Sequence, residues 1–259
     1  MSSTLPQLNM NILGQTSSFN MSNKYQHIST QDVINSFDKD WIISSILTGN
    51  KYDPERSTFQ RHHVKLRNEK LTNLYNNGLI PEIIISNSYD GTSRLNINFG
   101  IFRKICNNGL IVKENQEFTG LSIKHIGQDF NEKIESFLPQ IEPFFEKILL
   151  KIEKSKQIIL SEEDQKDFVK ELFESKKHLN NDFIDYHSLL NRQREEDKGN
   201  DMFSIFNVLQ ENLLQGNYEI VSKNKNTRKA RKIISISNSW QVNQNLWNVF
   251  DKRVSLVEI

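Results

Sequence analysis

The feature that most limits how this chain can fold is a succession of short apolar segments separated by tight-turn dipeptides. Residues 83–85 are three isoleucines, and residues 95–101 alternate apolar with polar side chains. Asp90-Gly91 and Asn108-Gly109 lie between the segments, and both dipeptides suit the positive φ angles of tight hairpins. Because successive side chains of a strand point to opposite faces, the pattern predicts an antiparallel meander, ending at 110–112, with one polar face.

The segments around the meander complete an α+β prediction. Residues 41–46 and 59–67 read as further strands, a short helix begins at Thr30, and 121–125 is a last short segment. After 128 the apolar spacing is helical: a helix over 134–152 that prolines kink or divide, then helices from Ser161, over 203–214 and over 240–250, with a strand at 233–236. We predict a flexible tail at 1–23 and one domain at 24–259, sheet-rich over 24–127 and helix-rich over 128–259, with the meander packed against helices.

Charge and composition restrict the function classes. The chain has 33 Lys and Arg against 32 Asp and Glu, so only a local patch would attract a polyanion. Cys106 is the single cysteine, which fits a reducing cytoplasm, and we expect the compartment to be that of a bacterial host cell. No stretch reaches the roughly 20 apolar residues that span a bilayer. We therefore expect a cytoplasmic protein without a membrane partner.

Two local patches carry the positive charge. The first alternates along the strand 59–67 and is expected to extend onto the meander; it comprises Arg61, His63, Lys65, Arg67, Arg94, Arg103 and Lys104. Such a stripe could follow a phosphate backbone, with Phe59 and Tyr89 available to stack on bases. The alternative is an ordinary solvated face of an antiparallel sheet.

The second patch has six basic residues in ten and no acidic residue. It comprises Lys223, Lys225, Arg228, Lys229, Arg231 and Lys232. The run could grip phosphates, which gives affinity rather than base specificity. The alternative is a flexible loop whose charge aids solubility.

Evidence for an enzyme is weaker. Histidines and acids that could hold a divalent metal are present without a recognisable ligand spacing: His62, His63, His125, Asp90, Asp129 and Glu211. Cys106 lies in an apolar context that favours an inert core thiol over a nucleophile. Asn87, Ser88, Asn107 and Asn108 fit turn chemistry as well as ligand contact. The chain has no phosphate-binding glycine loop, and we assign no catalytic residues, metal or cofactor.

Five segments of the chain carry a resemblance to a known family: residues 25–33, 123–125 and 206–212, with Asn87-Ser-Tyr-Asp-Gly91 and Gly100-Ile-Phe-Arg-Lys-Ile-Cys-Asn-Asn-Gly-Leu110 as the most specific. They resemble the phage/plasmid-like proteins grouped as domain of unknown function 932. The resemblance implies an origin on mobile elements, often near genes for recombination, repair or antirestriction. It brings no catalytic residue set. A relation to phage single-strand annealing proteins is an analogy of fold only.

The leading hypothesis is a nucleic-acid-binding protein of phage or plasmid DNA metabolism that favours single-stranded DNA and acts in annealing as a homo-oligomer. Annealing needs a cationic groove and no catalytic side chain. One alternative is an interaction protein that contacts a phage or host protein, such as a defence factor. The other is a metal-dependent nuclease, which requires the histidines and acids to cluster.

Overall fold

The structure is a computed structural model that describes residues 12–18, 21–48, 61–68, 70–71, 79–103, 109–112, 120–127, 129–174, 183–221, 226–234 and 236–257. Contacts group the chain into two compact units. Unit 1 is Met1–Gly109 with Phe118–Phe145, and unit 2 is Leu110–Glu117 with Glu146–Ile259. The single domain expected from the sequence stays a prediction, and each unit is described here by itself.

An antiparallel sheet forms the centre of unit 1. Its strands in that unit are β1 (Trp41–Thr48), β2 (His62–Asn68), β3 (Leu79–Asn87) and β4 (Leu95–Arg103), followed, after a strand β5 (Gly109–Val112) whose residues 110–112 are grouped with unit 2, by β6 (Leu121–Ile123). The strand order within unit 1 is β1-β2-β3-β4, and β6 pairs with β4. A helix, α1 (Thr30–Asn35), precedes β1, and the Ser29 side chain caps its first turn by accepting from the Asp32 amide. The predicted meander and the α+β class are confirmed.

One face of the sheet is the core of unit 1. Val64, Leu66 and Ile83 are wholly buried, and the strand alternation brings Phe99 of β4 onto the same face. The Phe99 ring stacks on Phe144 with 4.0 Å between centroids. Such aromatic pairs add roughly 0.5–1.5 kcal/mol to the burial itself. Aromatic stacking therefore adds to the core at this face.

Seven helices are described. After α1 they are α2 (Phe130–Phe137), α3 (Ile141–Lys156), α4 (Glu162–Glu174), α5 (Tyr186–Leu189), α6 (Met202–Gln215) and α7 (Ile236–Leu256). A 3₁₀ turn at Leu138–Gln140, which contains Pro139, separates α2 from α3 and confirms the predicted division. The second helix begins at Ile141, and Pro143 occupies its first turn. Within α3, the division between units falls after Phe145.

Unit 2 is built around α6, nearly all of whose residues are buried. Phe206 meets Trp247 and Phe250 of α7, with centroids 6.1 and 4.8 Å away. A buried polar contact joins the two helices: Gln210 donates to Asn243 of α7 at 2.6 Å. The helix ends at Gly216, whose φ of 72° gives the left-handed cap that glycine adopts without strain.

Unit 2 also contains a small sheet that the sequence pattern did not predict. Its strands β7 (Phe183–Ile184), β8 (Glu219–Val221) and β9 (Thr227–Lys229) pair in that order and are antiparallel. The predicted strand at 233–236 is wrong, because residues 230–234 have no regular structure and Ile236 begins α7. The isoleucines there have the composition typical of a strand, but Ile234 is 89% exposed.

The segment predicted as a tail makes specific contacts. Ile12 and Leu13 are buried, and the Leu13 carbonyl accepts from the Tyr89 hydroxyl at 2.7 Å and from the Gln31 amide at 3.0 Å. Ile12 and Leu13 are thus part of the core of unit 1. Over the described ranges, no helix combines the length and apolar character needed to cross a bilayer.

Candidate nucleic-acid interface

The part of the first predicted patch that lies on or beside β2, which we call the stripe, comprises Arg61, His63, Lys65 and Arg67. β2 alternates as predicted, with Val64 and Leu66 buried on the core face and Lys65 and Arg67 partly exposed on the other. Arg61 precedes the strand and is exposed. The stripe therefore exists as a row of side chains, but its neighbours on β3 decide how much charge it offers.

Glu82 neutralises part of the stripe. This carboxylate is wholly buried on β3, opposite Arg67 in the strand register. Arg67 Nε donates to Oε1 at 3.0 Å, and Lys65 Nζ lies 3.3 Å from Oε2. The Arg67 guanidinium also covers the Phe102 ring at 3.4 Å. Two cations shared by one buried carboxylate leave a net charge of +1, and both side chains are held against the sheet.

His63 adds no charge to the stripe at neutral pH. Its Nδ1 is 2.7 Å from Ser86 Oγ, and the residue is 9% exposed. Burial, followed by the nearby charges of Arg61, His62 and Lys65, lowers the pKa of His63 to about 4. The imidazole is consequently neutral at pH 7, so a phosphate would find no cation at this position.

The predicted extension of the stripe is only partly realised. Arg103 pairs with Leu79, which places it on the core side of β4, so it is not a continuation of the stripe. Arg94 is exposed just before β4, and Lys104 and Phe59 lie outside the described residues. Tyr89 is wholly buried and hydrogen-bonded through its hydroxyl, so the prediction that it is available for base stacking is wrong.

The described part of the second patch, which we call the ribbon, comprises Arg228, Lys229, Arg231 and Lys232. All four are exposed, and only Ala230 interrupts them. Among the described residues, Lys229, Arg231 and Lys232 make no ion pair; Lys223 and Lys225 lie outside them. The nearest acid in the register is Glu219 on β8, opposite Lys229, and it is exposed.

The ribbon is fixed to the end of α6. The Ala230 amide donates to the Tyr218 carbonyl at 2.8 Å, and the Ile233 amide donates to the Leu214 carbonyl at 2.9 Å. A Cβ on Gly216 would lie 2.6 Å from the Arg231 carbonyl carbon, so only glycine permits this approach. Over its described residues the ribbon is therefore an ordered segment, in contrast to the flexible loop of the sequence-based alternative.

A buried hydrogen-bond network in unit 1 was missed by the sequence reasoning. The Asn87 side-chain amide donates to the Ile28 carbonyl and to Thr30 Oγ1, both at 2.9 Å. Its Oδ1 lies 3.0 Å from His125 Nε2, and Thr30 Oγ1 lies 2.7 Å from His62 Nε2. Asn87 was attributed to turn chemistry, yet it ties the segment before α1 to β3 and to the residues after β6.

The side chains considered for a metal are engaged separately. His62 and His125 belong to the network, Asp90 accepts from Thr92 at 2.6 Å, and Glu211 is paired with Arg194 through both oxygens at 2.7 and 2.8 Å. Asp129 pairs with Lys133 of the same helix. Across the described ranges, no three His, Cys, Asp or Glu side chains form a group that could hold a metal ion.

Comparison with known proteins identifies the family. A family model described as "Domain of unknown function (DUF932)" matches residues 20–247. The chain belongs to the DUF932 family. UPF0380 protein YfjQ and UPF0380 protein YafZ, both of Escherichia coli (strain K12), are each 25% identical to it over 228 residues. Each match covers 87% of this chain and 81% of the relative. No solved structure gives a significant match.

The DUF932 match contains every site described above. Residues 20–247 include the stripe, the network and the ribbon, so these features lie in the part of the chain that defines its membership. The resemblance suggested by the sequence is confirmed. Because neither the description of DUF932 nor the names of the two relatives state an activity, function has to be argued from the geometry.

Proposed function

We propose that this protein binds nucleic acid by holding the phosphate backbone on the ribbon. The observation that carries the proposal is four exposed cations within five consecutive residues on an ordered edge. Lys229, Arg231 and Lys232 have no ion-pair partner among the described residues, and such cations can displace the counterions of a polyanion, which drives sequence-independent binding. The resemblance suggests phage or plasmid DNA metabolism, and the analogy of fold suggests strand annealing. We place the binding in that process.

The length of the ribbon suits several phosphates. Five extended residues span roughly 17 Å at about 3.4 Å per residue, and one strand of B-form DNA carries a phosphate every 3.4 Å or so along its axis. Four contacts would give a slope of log K against log salt of about −2.8 for a single strand and about −3.6 for a duplex. With Tyr89 buried, the binding rests on phosphate contacts, and we expect little base preference.

Stabilisation of α6 is the competing explanation for the ribbon. Cations beside a helix C-terminus each contribute about 0.3–1 kcal/mol, and this effect fades beyond the last turn. Ala230 and Arg231 approach Gly216 most closely, so the effect applies to the cations beside it. It gives no reason for all four positions to be basic and exposed. The stripe, with a net +1 at Lys65, Arg67 and Glu82, is assigned a lesser part.

The test is fluorescence anisotropy with labelled single-stranded DNA, duplex DNA and single-stranded RNA over a series of salt concentrations. The variant carries Arg231→Gln with Lys232→Gln, which removes two of the four contacts. We expect at least a tenfold loss of affinity at low salt and a slope shallower by about 1.4 for a single strand. A stronger effect on single strands than on duplex would favour annealing.

The matched control carries Lys39→Gln with Lys166→Gln. Both lysines are exposed and lie away from the ribbon in sequence. Replacing them changes the net charge by the same amount as the ribbon variant does. The control is expected to bind nearly as the parent protein does. Equal losses in the two variants, or no binding by the parent protein at low salt, would remove the ribbon as the binding surface.

A further inference from the structure

Unit 1 has an open pocket that neither the stripe nor the ribbon explains. Its volume is about 540 Å³, within the range of small-molecule sites. Three segments form it: residues 21–25 before α1, the β3–β4 turn at 91–94, and residues 124–126 after β6. The buried Asn87 side chain ties His125 of the third segment to β3, and it also holds Ile28, three residues beyond the first segment.

The polar lining of the pocket is cationic. Arg94 and Lys124 stand on two of the three segments, and both are exposed. Neither forms an ion pair with any described residue. No aspartate or glutamate is among the lining residues. The nearby Asp90 carboxylate is engaged by Thr92, whose amide and hydroxyl donate to Oδ1 at 3.0 and 2.6 Å. A ligand entering here would meet two positive charges with no lining carboxylate to offset them.

Hydroxyl groups and flat apolar surface complete the lining. The Ser93 hydroxyl is buried and has no hydrogen-bond partner among the described residues, so rotation about its Cα–Cβ bond can turn it toward a ligand. The Tyr25 ring stacks on His125 with centroids 5.0 Å apart and planes 7° apart. Met21 and Ile126 add apolar surface, and Ile126 is 59% exposed.

This combination points to a particular ligand class. We propose that the pocket binds a nucleoside 5′-monophosphate group, with the phosphate between Arg94 and Lys124 and the base against the apolar surface of Met21, Tyr25 and Ile126. Guanidinium and ammonium groups are the usual partners of a phosphate, and an unpartnered serine hydroxyl supplies a further donor. The proposal does not depend on nucleic-acid binding by the ribbon.

Two sources could present the same chemical group: a free mononucleotide, or the phosphorylated end of a strand. Isothermal titration calorimetry with AMP, adenosine and inorganic phosphate examines the group itself. We expect AMP to bind at least tenfold more tightly than either of its parts. Competition by a 5′-phosphorylated dinucleotide, against the same dinucleotide with a 5′-hydroxyl, would identify a strand end as the source, and binding of AMP alone would identify the free nucleotide.

Variants place the binding in this pocket. Arg94→Gln and Lys124→Gln should each weaken AMP binding roughly tenfold, because each removes a charge-assisted contact, and Ser93→Ala should weaken it less. Lys39→Gln and Lys166→Gln, at exposed positions outside the lining, are the matched controls and should leave AMP affinity unchanged. Because Arg94 and Lys124 are exposed, replacing them should leave the fold intact. A loss of AMP binding in these variants would therefore not be due to unfolding.

The proposal fails if AMP gives no heat up to about 1 mM, the weak end of specific affinity. It also fails if adenosine or inorganic phosphate binds as tightly as AMP, or if the control variants lose as much as Arg94→Gln. The ribbon variant Arg231→Gln with Lys232→Gln separates this site from the proposed function. Retained AMP binding with lost oligonucleotide binding would support two independent sites.

Discussion

The stripe of unit 1 and the ribbon of unit 2 have similar basic residues in the sequence and opposite uses in the structure. Lys65 and Arg67 meet the buried carboxylate of Glu82 within 3.3 and 3.0 Å, whereas Arg231 and Lys232 are exposed and have no ion-pair partner among the described residues. The stripe alternates along a strand that pairs on both sides. The ribbon begins on a strand that pairs, in the described structure, on one side.

The difference teaches that a count of basic residues overstates the charge available to a ligand. A basic side chain on a central strand contacts side chains of both neighbouring strands. A single acid such as Glu82 can then pair with two basic side chains. A cation on an edge has fewer neighbours and more water. Three substitutions, taken from the largest expected effect to the smallest, test whether the two patches differ in this way.

Glu82→Gln should lower the free energy of unfolding more than the other substitutions do. The substitution removes the buried counter-charge of Lys65 and Arg67, and breaking a partly buried ion pair in this way typically costs about 3 kcal/mol or more. The ribbon offers a matched change in Glu219→Gln, where an exposed acid faces Lys229 and the expected loss is below about 0.5 kcal/mol. Urea unfolding followed by circular dichroism measures both. Similar losses for the two variants would contradict the distinction.

Arg67→Gln should destabilise the protein by about 2 kcal/mol, because Glu82 keeps only one cation and the contact over Phe102 is lost. Arg231→Gln, the corresponding change in the ribbon, should alter the free energy of unfolding by less than about 0.5 kcal/mol. The same unfolding experiment applies. The idea that the stripe is structural fails if Arg67→Gln is as stable as the parent protein.

His63 should make stability depend on pH. Its pKa falls from 6.5 to about 4 on folding, so the unfolded chain takes up a proton first as the pH drops. The free energy of unfolding should therefore fall below pH 6.5 and stop falling below about pH 4. Between pH 7 and pH 5 the loss from this group is about 1.8 kcal/mol.

His63→Gln tests this assignment, because glutamine does not titrate. Burial also lowers the pKa values of His27 and His125, so the variant should keep part of the acid sensitivity of the parent protein. The quantity to compare is the change in unfolding free energy between the two pH values, measured in both proteins. An identical change in both would show that His63 titrates as it does in the unfolded chain.

Much of the fold follows from the sequence because its patterns are local. The alternation of 95–101 placed Phe99 in the core, and Asp90-Gly91 lies in the β3–β4 turn, where Gly91 has a φ of 71°. The helices predicted from Ser161 and over 203–214 form at Glu162–Glu174 and Met202–Gln215, and Ser161 caps the first of them. These signals involve neighbours within a few residues, so no knowledge of strand pairing was needed.

The sites depended on pairing that no local pattern encodes. Glu82 neutralises Lys65 and Arg67 only because β2 and β3 pair in one register, and a shift by one residue would turn the carboxylate to the core face. Asn87 reaches His125 across 38 residues of sequence. The pocket likewise needs three distant segments. The ribbon was the easier site to predict because its cations are consecutive.

The position of β9 has a consequence for how the protein behaves in solution. The strand is last in the order β7-β8-β9, and its three residues are exposed. An edge of this kind exposes backbone groups to which a second copy of the chain could add a strand, and short length with positive charge opposes that addition. Removal of the ribbon's charges should thus appear first as concentration-dependent self-association, visible by light scattering, while the fold of each copy stays intact.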